Sequence, residues 1–152
     1  MSSALARSIA DLSSRWRNRF SRSKKSPEHL RTGARGEKLA ARFLRQHGYK
    51  VLYRNFKGRT GGQIDIVCRD RDTLVFVEVK TRGSEAFGRP LETIRAEQKN
   101  RIALGGLAWL RLLDDPEILF RFDVVEVRID DRGNAECELI KNAFQLPQSY
   151  LY

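Results

Sequence analysis

Asp65, Glu78 and Lys80 stand where ionisable side chains are costly, each interrupting a strand-like apolar run, in Ile64-Asp65-Ile66-Val67 and in Leu74-Val75-Phe76-Val77-Glu78-Val79-Lys80. Side chains alternate across a strand, so Glu78 and Lys80 share one face with Phe76, while Val75, Val77 and Val79 share the other. A carboxylate buried without a partner is strongly unfavourable. Two carboxylates and an ammonium gathered at one place therefore point to a bound divalent cation and to a reaction run beside it. A structural ion-pair cluster without catalysis is the competing explanation, and spacing alone leaves both open.

Asp65, twelve intervening residues and then Glu78-Val79-Lys80 is also the spacing of the PD-(D/E)XK nuclease signature, with Ile64 where the literal motif has proline. Around it fall, in order, Gly36-Glu37, Asn55, Gly62-Gln63-Ile64-Asp65, Phe76 through Arg82, Phe87-Gly88-Arg89-Pro90, Lys99, Arg121-Phe122-Asp123-Val124 and Asn142-Ala143-Phe144. Together these resemble the YraN-like family, grouped with endonucleases related to Holliday-junction resolvases, from Gly33 to Phe144. The resemblance implies an α/β fold with a restriction-endonuclease-like mixed β-sheet: an antiparallel three-strand meander plus a parallel strand after a crossover helix, flanked by helices. It implies a DNA endonuclease that hydrolyses phosphodiester bonds with magnesium or manganese, on branched or structured DNA. By the same resemblance Asp65 and Glu78 are metal ligands, Glu37 joins them, and Lys80 orients or activates the attacking water. Relatives usually carry glutamate where this chain has Gln63, which keeps a neutral oxygen but removes a charge, so weaker metal affinity is expected.

Phosphodiester hydrolysis needs a positioned water, a cation bridging it to the phosphate, and stabilisation of developing negative charge. Magnesium prefers one or two carboxylates and retains waters, so Asp65 and Glu78, helped by Glu37 and the backbone carbonyl of Val79, make a sensible sphere. Lys80 can orient the water or steady the phosphate. Arg82, Arg89, Gln98, Lys99 and Arg101 follow the site and would form a basic rim that holds phosphates without reading sequence. Each is also readable as an ordinary surface side chain; Lys99 has the best claim, because it matches a position the family keeps basic. Asp123 alternates with Phe122 and Val124, and either faces the site or closes an ion pair at the sheet end. Tyr49, Tyr53, Phe56, Phe76 and Phe87 are read mostly as core, with a base-stacking platform as the alternative. Gly58-Arg59-Thr60-Gly61-Gly62 lacks the Lys-Ser/Thr ending of a phosphate loop, so nucleotide hydrolysis is disfavoured and no small-molecule cofactor is expected.

At 152 residues and 41% apolar, the chain can bury one sizeable core, and its length predicts a single domain. Neither a transmembrane run nor a secretory leader is readable, which makes the cytoplasm the expected location. Cys68 and Cys137, with His29 and His47, lack the paired spacing of a zinc site, and Cys68 reads as a small buried hydrophobe. The 29 Lys and Arg against 19 Asp and Glu give +10, a balance that favours polyanionic partners.

More than half of that surplus, +6, lies in residues 1 to 31. There Leu5, Ile9, Leu12, Trp16 and Phe20 recur at helical spacing among Arg7, Arg15, Arg17 and Arg19. Residues 1 to 32 thus read as a basic, amphipathic arm, with Ser21 to Pro27 as a linker, followed by a domain over 33 to 152. A loose tail, a helix touching phosphates or a partner, and a helix lying on an anionic membrane all fit; membrane contact is the least expected. Two rivals to the nuclease follow: a nucleic-acid-binding module of the same fold without efficient catalysis, and an interaction protein docking through the arm. A homodimer would suit symmetric substrates, by analogy alone.

The elements that must position the site are predicted as follows. A helix runs from Gly33 to His47, stopped by Gly48. Within it Ala40, Ala41 and Leu44 follow Glu37 on one face, turning that glutamate inward. Inward, it serves either as metal ligand or as complement to the helix N-terminus. Strands follow at Lys50 to Phe56, Gln63 to Cys68 and Thr73 to Thr81, with Arg69 to Asp72 as a tight hairpin. Leu91 to Leu113 is a helix in which Gly105-Gly106 permits close packing. Arg121 to Ile129 and Glu136 to Ile140 are further strands, the first parallel to the Thr73 strand across a right-handed crossover.

Overall fold

Runs rich in β-branched and aromatic residues form five strands in the computed structural model, whose described residues are 28–84, 94–113 and 117–150. These are β1 (Lys50–Lys57), β2 (Gln63–Asp70), β3 (Thr73–Arg82), β4 (Leu119–Ile129) and β5 (Ala135–Phe144). They make one mixed sheet in the order β1-β2-β3-β4-β5. β1, β2 and β3 are an antiparallel meander, β3 and β4 run parallel, and β5 returns antiparallel to β4. Helix α1 (Glu28–Gln46) precedes the sheet, and α2 (Ala96–Leu112) makes the crossover between β3 and β4.

Each sheet face carries its own apolar layer under one helix. Ala40, Ala41 and Leu44 of α1 pack on Ile66, Cys68, Val75, Val77, Val125 and Val127. Ile102 and Trp109 of α2 pack on Phe56, Phe76, Phe122 and Val124. Each Leu, Ile, Val or Phe among them, fully buried, contributes about 1.5–3 kcal/mol. Burial pushes the Cys68 thiol up to about 12, so it sits in the core as an apolar residue, as expected. The glycine pair of α2 brings backbones together: a Cβ on Gly105 would lie 2.9 Å from the Gln63 amide nitrogen, and one on Gly106 would lie 3.1 Å from the Phe76 and Phe122 rings.

Several boundaries differ from those expected. α1 covers Glu28–Gln46, so residues 28 to 32 are already helical ahead of the expected start at Gly33. α1 stops where expected, with Gly48 at φ 85° and the Tyr49 amide donating to the Leu44 carbonyl at 3.0 Å. α2 starts at Ala96 and not at Leu91; Ile94 is buried core outside the helix, and the Arg95 amide donates to the Gln98 side chain. The β2–β3 ladder continues through Asp70 opposite Thr73, narrowing the predicted turn to Arg71-Asp72. The proposed arm helix, the Ser21 to Pro27 linker, and Phe87, Gly88, Arg89 and Pro90 lie outside the described residues. Among those described, no helix is long and apolar enough to cross a membrane.

Candidate active site

Antiparallel pairing of β2 with β3 ends at Ile66 opposite Val77. One step further, continued register would set Asp65 opposite Glu78. The strands part there, and the Val79 amide that points toward β2 donates to Asp65 Oδ2 at 2.8 Å. A strand residue turns its N–H and C=O to the same side, so the Val79 carbonyl faces the same gap. The split thus gathers two carboxylates and a main-chain oxygen at a point where both strands remain in the core.

Asp65 is 8% exposed and Glu78 4%. Burial, and then the Asp65 carboxylate beside it, push the Glu78 carboxyl up to about 7, against the pull of Lys80 and Arg101. In the absence of a cation, Glu78 therefore tends to retain its proton beside Asp65. Lys80 Nζ lies 3.5 Å from Glu78 Oε1, and the Arg101 guanidinium reaches the same oxygen from α2 at 3.4 Å.

Glu37 enters from α1 on the opposite side of the split. Its helix sits close to β3 because a Cβ on Gly36 would strike the Thr81 side chain. Its carboxyl is raised, chiefly by burial and then by Asp65, while a hydrogen bond to the Asn55 side chain and the charge of Arg54 act the other way. Asn55 holds a left-handed φ of 56° within β1. A groove of about 420 Å³ opens here, lined by Thr32, Gly33, Glu37, Val79 and Thr81. Glu37 thus senses Asp65, yet among the described residues no three His, Cys, Asp or Glu side chains converge into a ready-made cage. The geometry brings Asp65 and Glu78 together as a pair, with Glu37 beside it.

That pair still fits magnesium or manganese, which needs one or two carboxylates and completes its shell with water. Two carboxyls buried side by side form a site short of positive charge, and Asp65, Glu78 and the Val79 carbonyl are the oxygens that would hold the ion.

Other predicted positions fall elsewhere. Asp123, 0% exposed, lies on the α1 face, because its strand neighbours Phe122 and Val124 are the ones that share the α2 face with Glu78. It accepts from Arg121 Nε at 3.0 Å and from the Asn142 amide at 2.9 Å. Arg121 also donates to Asp70 and to the Tyr49 hydroxyl, so this is the sheet-end ion pair and not part of the site. Arg82, on the same face of β3 as Glu78 and Lys80, lies 3.8 Å from buried Glu126. Gln98 caps its own helix, Lys99 stands half-buried on the first turn of α2, and Gln63 opens β2 with its backbone against Gly105. Arg89 and Phe87 lie outside the described residues. Tyr49, Phe56 and Phe76 are core, and Tyr53 packs partly buried on the Phe56–Trp109 pair.

Glu126 was not singled out from the sequence. It is 1% exposed, pairs across the parallel ladder with Lys80 on the Glu78 face, and accepts from Arg128 Nε at 2.5 Å. Its signal was available: Val125-Glu126-Val127-Arg128 repeats the pattern Val77-Glu78-Val79-Lys80, an acid followed two residues later by a base within an apolar strand.

Residues 36–127 match the family described as "Uncharacterised protein family UPF0102". Among similar proteins, a UPF0102 protein of Pelobacter propionicus is 40% identical over 122 residues, covering 79% of this chain and 86% of the relative. One from Syntrophus aciditrophicus is 42% identical over 119 residues, covering 78% and 92% respectively. Another, from Symbiobacterium thermophilum, is 44% identical over 115 residues, covering 75% and 96%. With the matched region running from the turn of α1 that carries Glu37 to the end of the parallel β3–β4 pair, this chain belongs to the UPF0102 family.

Proposed function

We propose that this chain is a divalent-metal-dependent DNA endonuclease that hydrolyses phosphodiester bonds on a restriction-endonuclease-like core, working in the cytoplasm on branched or structured DNA. The observation that carries the proposal is the split between β2 and β3. It turns Asp65 and Glu78 onto one another with Lys80 on the same Glu78 oxygen, an arrangement that favours neither folding nor a neutral ligand. When bound, magnesium or manganese supplies Lewis-acid polarisation of the scissile phosphate. Asp65 is oriented for that role by the Val79 amide. Lys80 Nζ, held beside Glu78, lies where it can position the attacking water and offset charge on the phosphate. The net charge of +10 supports a polyanionic substrate.

A second reading keeps the fold and DNA binding without efficient catalysis; neutral Gln63 and a Glu37 that stands beside the carboxylate pair favour it. The deciding experiment is cleavage of linear, single-stranded, flap and four-way DNA in magnesium, comparing the native chain with Asp65→Asn. Metal-dependent cleavage lost in Asp65→Asn supports the endonuclease. Binding without cleavage by the native chain moves the assignment to the second reading, and equal cleavage by both proteins removes Asp65 from the chemistry.

A further inference from the structure

Glu78 Oε1 carries two cationic partners of different character. Lys80 is tethered two residues away on the same strand, with a side chain 25% exposed. Arg101 reaches down from α2 with a side chain 49% exposed, and its 3.4 Å contact is longer than the 2.7–2.9 Å or so of a strong charge-assisted hydrogen bond. A guanidinium so loosely held and so well solvated leaves its carboxylate at little cost. It also stands where a divalent ion would crowd it, because both need the same oxygen.

We propose that Arg101 is a movable counter-ion: it closes Glu78 while the site holds no metal, is released when a cation takes that carboxylate, and then grips a phosphate of the nucleic-acid strand. This rests on the metal-dependent reading above and adds a coupling to it. Occupation of the carboxylates frees a cationic group for the polyanion, and a polyanion that holds Arg101 away from Glu78 leaves the carboxylates open to metal. Linkage requires the two effects to be equal. Lys80 stands on the same strand two residues from Glu78 and is the less exposed of the two cations. Arg101 has the reach of a long side chain on a separate element, and Lys99 stands two residues away on that helix.

The test is a pair of titrations on the full chain, native, Arg101→Ala, Arg101→Lys, Lys99→Ala and Asp65→Asn. Manganese alone is titrated by calorimetry. A fluorescent four-way DNA junction is titrated by anisotropy, in chelator and in calcium. Arg101→Ala should tighten manganese binding severalfold without DNA, even as it weakens DNA binding in calcium. It should also shrink the ratio of DNA affinities in calcium and chelator, from roughly five- to tenfold toward the value set by charge alone. Arg101→Lys should restore part of that ratio, and Lys99→Ala, which removes the same charge away from Glu78, should leave manganese affinity unchanged. Manganese binding that needs Asp65 but is indifferent to Arg101→Ala overturns the Arg101 role and spares the metal site. Manganese binding that is absent, or indifferent to Asp65→Asn, overturns the metal-dependent reading and this inference with it.

Discussion

Glu78→Gln should make the metal-free protein more stable, and by an amount that depends on pH. In the folded chain the Glu78 carboxyl is pushed from 4.5 up to about 7 by burial and by Asp65, the attraction of Lys80 and Arg101 being already included. Below 4.5 the group is neutral in both folded and unfolded chains, and its raised value is no burden. Between 4.5 and about 7 the folded chain holds a proton that the unfolded chain has released, so stability falls as pH rises, and above that window the penalty is complete. At about 1.4 kcal/mol per pKa unit, the displacement of Glu78 amounts to on the order of 3 kcal/mol. Glutamine has no such charge. Urea unfolding in chelator, followed by the fluorescence of buried Trp109, should therefore show the variant roughly 1–3 kcal/mol more stable than the native chain at pH 8. The gap should close toward pH 5. Excess magnesium should raise the native midpoint at pH 8 and leave the variant's unmoved. A gap of the same size at both pH values, or a variant less stable at pH 8, would refute the proposed strain between the two carboxyls.

Lys80→Ala should lower kcat more than it lowers DNA affinity, because its assigned work is at the transition state; equal losses in both would make it a phosphate clamp. Gln63→Glu should tighten magnesium binding by adding a carboxylate beside the split, and an unchanged calorimetric titration would show that residue 63 does not reach the ion. Asp123→Ala should cost about 3 kcal/mol of stability by stranding Arg121 and the Asn142 amide, with no change in cleavage rate per folded molecule. A lost rate at full folding would return Asp123 to the site.

What the sequence determined by itself was the set of charges that cannot be bland. Asp65, Glu78 and Lys80 were legible because an ionised side chain in an apolar strand is tolerated only with partners, and Glu126 was equally legible by the same rule. The order of strands and the parallel crossover were also readable, since a strand, a long helix and a second strand leave few connections. The partners were not. Arg101 reaches Glu78 because the glycines of α2 let that helix settle on Gln63 and the Phe76 and Phe122 rings. Glu37 senses Asp65 because Gly36 admits Thr81, and no spacing within one segment encodes a contact between two. The face of Asp123 was ambiguous because alternation gives two sides without saying which one holds the site; it took the register of β4 on β3 to put Val124, and not Asp123, beside Glu78. Above all, the end of the β2–β3 ladder at Ile66 and Val77 was decided by tertiary structure. A strand pair parts where packing from both helices holds the strands while two carboxyls meet, and that balance exists only once both sheet faces are covered.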